Sequence, residues 1–369
     1  MATSADHGFV QVVLAQLLLI EVVRVALTRD LDPSTRRPSL ALGKPFVKIE
    51  IAVDEGEGNQ LVIIWHTHHA VYDMTTFALI ARHISDIALD LEMLPEPPGF
   101  ASFISYSLEI QRSSEWRHFW SEHLRAPAAP RFPYDTNTFN TTDQGSEEPA
   151  WESVNAVTSY RTDALYTHTL TCANANRSGF TLANIFKATW AYLLSCYEHS
   201  DIVVFGVTSS GRHVPVPGCA DMVAPTVATT LMHIKLDNAN PTATVADLLQ
   251  HVTILAIESS AWEQVGLPRI RELGADARRA CSFRTMVNVQ TTDALGGIGE
   301  ASKMLRAAPA VKEQVEPLGY ALVLELCPRQ GDTAPFRLSY DGRVLRCDQV
   351  VQIAAQFKNV FCFFLTSPS

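Results

Sequence analysis

Three histidines and an aspartate crowd the stretch Ile63-Ile64-Trp65-His66-Thr67-His68-His69-Ala70-Val71-Tyr72-Asp73-Met74. An imidazole titrates at about 6.5, so its neutral form accepts a proton at cellular pH. Within hydrogen-bond reach of a nucleophile, such a base contributes typically about 10²–10⁴-fold in rate. His69, with Asp73 four residues on, has the arrangement of an acyl-transfer base. Two other chemistries suit the same residues. His69 can be a satisfied buried histidine and Asp73 a plain helix cap. Alternatively, His66 and His68 can be two metal ligands, with Asp73 or a distant His83 or His118 as a weakly placed third.

The flanking residues say what must position this group. Leu61 to Trp65 is apolar and β-branched, the composition of a buried strand. Side chains alternate along a strand, so His66 and His68 share a face and His69 takes the other. From Phe77 the apolar residues Phe77, Ile80, Ile84, Ile87 and Leu91 fall three and four apart, which is one helical stripe. Asp73 stands just ahead of that stripe, at the N-cap. Upstream, Phe46 to Val53 reads as a strand. The Asp54–Asn59 turn then makes a hairpin that delivers the histidine-rich strand.

Composition limits the rest. The chain has 369 residues, 47% hydrophobic and 18% charged, the profile of a globular protein with room for two lobes. A net charge of −10 argues against nucleic-acid binding, which needs basic surface. Seven scattered cysteines without a CxxC pair read as reduced thiols of a cytoplasmic protein. Phe9 to Ile20 is too short to span a bilayer, and a soluble protein is expected.

In chain order, Gly8–Leu14 suits a strand and Leu17–Leu27 is compatible with a helix. Pro95, Pro97 and Pro98 break the chain before a helix from Phe103 to about Leu124. The Pro-, Asn- and Thr-rich stretch 125–152 reads as the linker between lobes, dividing the chain into 1–140 and 150–369. Beyond it we expect a strand at 155–159, a helix over 162–176, and an amphipathic helix capped by Thr181. Strands follow at 202–207 and 229–236, a helix from Val245 to Trp262, strands at 283–289, 320–326 and 336–340, and a closing helix over 348–365. The class is α/β or α+β, without repeats. Gly206–Arg212 mimics a phosphate loop. However, Arg212 and His213 replace the Lys and Ser/Thr, and Pro215 and Pro217 bar the helix that would hold phosphate.

Two separated motifs carry a family likeness. His68-His69-Ala70-Val71-Tyr72-Asp73-Met74 resembles the His-His-x-x-x-Asp-Gly motif of nonribosomal peptide synthetase condensation domains, with Tyr72 most like the fungal branch and its terminal, cyclising members. The segment 205–226 resembles the same family's Ser-Gly-Arg…Pro-Gly…Asp-Met-Val-Gly-Pro run, with Ala224 where Gly is usual. Pro45-Phe46, Phe119-Trp120, Trp262-Glu263-Gln264 and Asn288-Val289-Gln290 also look familial. The resemblance covers about residues 40–365.

It implies a chloramphenicol acetyltransferase-like fold of two lobes in a V, the first incomplete here. It also implies amide formation from a thioester carried on the phosphopantetheine of a carrier protein acting in trans, by elongation or cyclising release, with no metal or bound cofactor. By that resemblance His69 is catalytic, His68 is its neighbour, and Asp73 is a structural acid paired with an arginine. Ser210, Arg212, Asn288 and Gln290 are secondary or tunnel candidates, Arg212 also being a substitute partner for Asp73. Met74 replaces the motif's Gly; if that position needs positive φ, it costs on the order of 1–3 kcal/mol. A catalytically silent homologue and a free-standing CoA-dependent acyltransferase are the alternatives.

Overall fold

Alternating β-branched and polar residues, and helical stripes bounded by caps, organise the chain as the computed structural model shows it. The structure describes residues 2–4, 8–10, 21–24, 46–53, 61–88, 97–125, 132–133, 164–172, 179–237, 240, 242–290, 319–328 and 333–367. The chain divides into two units. Of the described residues, the first holds those within Met1–Pro98 and Asp221–Pro225, and the second holds the remainder.

In the first unit, β1 (Ala2–Ser4) pairs antiparallel with β2 (Gly8–Val10). A separate sheet has the order β3 (Glu21–Arg24), β4 (Val47–Val53), β5 (Leu61–Thr67). β4 and β5 form the expected hairpin, with Lys48 opposite His66 and Val47 opposite Thr67. Helix α1 spans Met74–Ala88. The helix expected across Leu17–Leu27 is corrected at Glu21–Arg24, which pairs parallel with β4. Val22 and Val23 are β-branched, and the ladder to Glu50–Val53 outweighs a weak helical pattern.

In the second unit, α2 (Phe100–Arg112) and α3 (Glu115–His123) replace the single helix expected there, separated at Ser113-Ser114. Next come β6 (Ala164–Thr171), α4 (Leu182–Glu198), β7 (Ile202–Ser209), β8 (Ala228–Lys235) and α5 (Val245–Ser260). Two short helices, α6 (Leu267–Arg271) and α7 (Ala275–Ala280), lead to β9 (Thr285–Val289), β10 (Leu322–Leu326), β11 (Thr333–Tyr340) and α8 (Cys347–Thr366). The six strands run β6-β11-β10-β9-β7-β8, parallel only where β9 meets β10 and β7. The helix expected over 162–176 is therefore corrected to strand β6, which pairs antiparallel with β11 from Ala164–Tyr340 to Thr171–Thr333. Its Tyr and Thr residues suit an edge strand, and its pairing partner lies far away in sequence, beyond a local window. The strand expected at 155–159 lies outside the described residues.

Alternation along β7 explains why this sheet is covered on both sides. Val203, Phe205 and Val207 bury into one cluster with Phe186 and Trp190 of α4, Val252 of α5, and Phe357 and Phe361 of α8. Val204 turns the other way, to a second cluster built from Trp116 and Trp120 of α3, Ile270 of α6 and Ala277 of α7. Gly206 is small for a reason: a Cβ there would stand 2.2 Å from the Phe283 ring.

The expected division within 125–152, most of which lies outside the described residues, differs from this grouping. Helices α2 and α3 belong with the second unit because the two tryptophans of α3 bury against its sheet. The five residues Asp221–Pro225 group with the first unit, although their neighbours on both sides group with the second. All seven cysteines are free thiols. Among the described residues, no helix is long and apolar enough to cross a membrane.

Candidate active site

Strand β5 ends at Thr67, a 3₁₀ turn covers His69–Val71, and α1 begins at Met74. Four of the sequence candidates, His68, His69, Asp73 and Met74, thus lie on one strand–turn–helix unit. The His68 amide donates to the Phe46 carbonyl at 3.0 Å, and its ring stacks on Phe46 with centroids 5.0 Å apart. Its Nδ1 accepts the Ala70 amide at 3.1 Å. A ring nitrogen that accepts carries no hydrogen, so the proton of His68 sits on Nε2. His68 is exposed and braces the turn from outside. The His69 side chain lies outside the described residues; its backbone opens the 3₁₀ turn.

Asp73 is 7% exposed and caps α1. Its Oδ1 accepts the Thr76 amide at 2.6 Å, the N3 contact of an N-cap, and lies 2.8 Å from Thr76 Oγ1. Thr76 Oγ1 also lies 2.8 Å from the Ala224 carbonyl oxygen. The single hydroxyl proton can turn to either acceptor, so Thr76 stands between the cap of α1 and the Asp221–Pro225 segment of its own unit. Sequence reasoning passed over Thr76; the local signal was a hydroxyl residue three positions after the cap. Met74 opens α1 at 42% exposure. Among the described residues the only non-glycine with positive φ is His199, so Met74 carries none of the left-handed strain that a replaced glycine would imply.

The other candidates lie in the second unit. Ser210 follows β7, and its carbonyl accepts the Thr226 hydroxyl at 2.7 Å. The Arg212 guanidinium donates to the Cys219 and Ala220 carbonyls, each at 3.3 Å. Gly211 between them has φ +65°, and a Cβ there would lie 1.9 Å from the Thr226 carbonyl oxygen. Asn288 on β9 stands opposite Thr208 of β7, and its Nδ2 donates to Glu325 Oε1 at 3.1 Å. Gln290 closes the next rung, its amide donating to the Leu326 carbonyl at 2.9 Å and its Oε1 lying 3.4 Å from Cys327 Sγ. Among the described residues, no three His, Cys, Asp or Glu side chains are grouped as a metal site.

A strand end, a 3₁₀ turn and a helix capped by the buried Asp73 thus hold the histidine motif as one local unit. The condensation-domain family profile matches residues 44–369, and the chain belongs to that family. Relatives are synthetases of fungi. Nonribosomal peptide synthetase dtxS1 of Metarhizium robertsii is 29% identical over 346 residues, which is 93% of this chain and 4% of that protein. Peramine synthetase A of Epichloe festucae is 30% identical over 262 residues, covering 71% of this chain and 9% of the relative.

The chain therefore spans a small fraction of the curated relatives it matches. Among solved structures, a CT mutant superposes with TM-score 0.73 at 18% identity, covering 100% of this chain and 79% of that one. The condensation domain from the Monacolin K polyketide synthase MokA gives TM-score 0.67 at 13% identity, covering 95% and 80%. The chain thus has the condensation-domain fold, an α/β class, and amide-bond formation is that family's general function.

Proposed function

We propose that this chain catalyses amide formation from a carrier-bound thioester, with His69 as the base. The observation that carries the reading is the His68-His69-Ala70-Val71-Tyr72-Asp73 run set on a strand end, a 3₁₀ turn and an Asp73-capped helix, within a condensation-domain chain. His69 takes the proton of the attacking amine as nitrogen bonds to the thioester carbon. The tetrahedral intermediate then expels the pantetheine sulfur, and the proton passes to that thiolate. The C–S bond is exchanged for a C–N bond without metal or redox chemistry. Holding both tethered reactants in line supplies part of the rate, since positioning is worth up to ~7–11 kcal/mol. Asp73 is structural in this scheme: its Oδ1 caps α1, and the scheme gives it no part in the proton transfer.

The experiment offers the purified chain a peptidyl thioester on one carrier protein, with and without an aminoacyl acceptor on a second, and follows amide or macrocycle by mass spectrometry. Product that disappears in His69→Ala supports the reading, and a linear or cyclic product distinguishes elongation from cyclising release. A folded protein with no turnover rejects it. Equal use of an acyl-CoA would reassign the donor.

A further inference from the structure

Glu263 buries a carboxylate at 4% exposure in the 3₁₀ turn Glu263–Val265 between α5 and α6. Ser209 Oγ, at the end of β7, donates to its Oε2 at 2.6 Å, and His213 Nε2 lies 3.3 Å from Oε1. The next residue, Gln264, donates from Nε2 to the Thr226 carbonyl at 3.2 Å. Gln264 is itself held: its carbonyl accepts Gln111 Nε2 at 3.1 Å and Ser107 Oγ at 3.3 Å, both from α2. Gln111 in turn accepts Arg269 Nε at 3.0 Å.

Two consecutive residues therefore hold opposite ends of the 210–226 loop, Glu263 at the exit from β7 and Gln264 at the entry to β8. Thr226 Oγ1 ties those ends to each other through the Ser210 carbonyl. The field of the same carboxylate reaches further. Burial lowers the pKa of Lys187 on α4, and Glu263 works against that. Burial, then Glu263 and Cys219, raise that of Tyr106 on α2. Ser209 gives its proton to the carboxylate and not to an imidazole, so this is no nucleophilic triad.

We propose that Glu263 is a positioning residue. With Gln264 it clasps the 210–226 loop and sets the conformation in which that loop presents Ser210 and Arg212. A buried charge-assisted hydrogen bond is among the stronger contacts available to fix a turn, and losing one partner leaves the other unsatisfied. The consequence for rate rests on the acyl-transfer reading, whereas the consequence for the loop does not.

The test compares the full chain with Glu263→Ala, Glu263→Asp and Ser209→Ala, the first removing the acceptor and the last removing the donor of the same bond. Hydrogen–deuterium exchange is read in peptides spanning 209–214, with β9 and β10 as internal controls. Faster loop exchange is expected in Glu263→Ala and Ser209→Ala, by about tenfold, with unchanged protection in the controls. In the acyl-transfer assay kcat falls more than KM rises, and Glu263→Asp recovers part of the loss. Loop exchange that stays at the wild-type rate in both variants, or rises evenly through the unit, overturns the proposal. If the unaltered chain forms no amide, the functional reading fails while the exchange arm still decides the clasp.

Discussion

Thr76 Oγ1 lies 2.8 Å from the carbonyl oxygen of Ala224, joining the first turn of the helix behind the histidine motif to a residue 148 positions later. Both residues are buried, so removing the hydroxyl takes a hydrogen bond from a desolvated carbonyl and one contact from Asp73. Thr76→Val keeps the shape and the backbone cap. It should destabilise the chain by about 1–3 kcal/mol in denaturant unfolding. The family's usual glycine at 224 would keep this carbonyl, so Ala224→Gly should leave the Thr76 contact intact and cost only methyl burial and backbone entropy.

Asp73 caps α1 through one carboxylate oxygen. Asparagine offers the same acceptor, so Asp73→Asn should lose little helix stability, whereas Asp73→Ala should lose about 0.5–2 kcal/mol. Circular dichroism melts compare the two. If Asp73 serves only as a structural acid, amide formation should follow stability across both variants. A rate that collapses in a stably folded Asp73→Asn would give the carboxylate a chemical role.

Met74 sits unstrained at the start of α1, half-exposed. Restoring the motif's glycine therefore relieves no backbone strain. Met74→Gly should lower stability by roughly 0.5–1 kcal/mol through lost helix propensity. A gain in stability on this change would contradict the helical assignment of residue 74.

Gly211 combines φ +65° with a backbone oxygen where its Cβ would be. Gly211→Ala must either shift the Thr226 strand entry or unmake the turn, and should cost about 1–3 kcal/mol or more. At Gly206 the obstacle is the Phe283 ring, a side chain. Gly206→Ala paired with Phe283→Leu should therefore recover stability that no single neighbouring side-chain change can return to Gly211→Ala. Thermal unfolding of Gly211→Ala, Gly206→Ala and the Gly206→Ala, Phe283→Leu pair checks the contrast.

His233 on β8 and His251 on α5 have pKa values below the ordinary histidine range, chiefly because burial disfavours the charged ring. His123 on α3 adds to the lowering of both, while Glu258 on α5 opposes it at His251. His123 Nε2 lies 3.6 Å from Glu258 Oε2. A folded-state pKa below the unfolded one means the unfolded chain binds the extra protons. Their contribution to stability is therefore complete above about pH 6.5 and is lost as pH falls below it. Melting temperature should drop between about pH 7.5 and pH 5, and His233→Gln with His251→Gln should flatten that slope.

How much of this was legible beforehand divides along physical lines. Local patterns carried the hairpin, the caps Asp73 and Thr181, helices α4, α5 and α8, and the core strands β7 to β11. Each rests on a period of two or near 3.6, or on a side chain bonding to a backbone group three residues away. Glu21–Arg24 and Ala164–Thr171 were misread because their strand character comes from partners in β4 and β11, far along the chain. The grouping of α2 and α3, the return of Asp221–Pro225 to the first unit, and the Glu263–Gln264 clasp have the same origin.

The order of residues alone determined which groups could do chemistry and the short elements that carry them, because caps and hydrophobic periods act over a few residues. Which distant segments pair, and which buried oxygen meets which hydroxyl, only the tertiary structure decided. Burial is what gives such long-range hydrogen bonds their weight, and burial does not exist until the chain has folded.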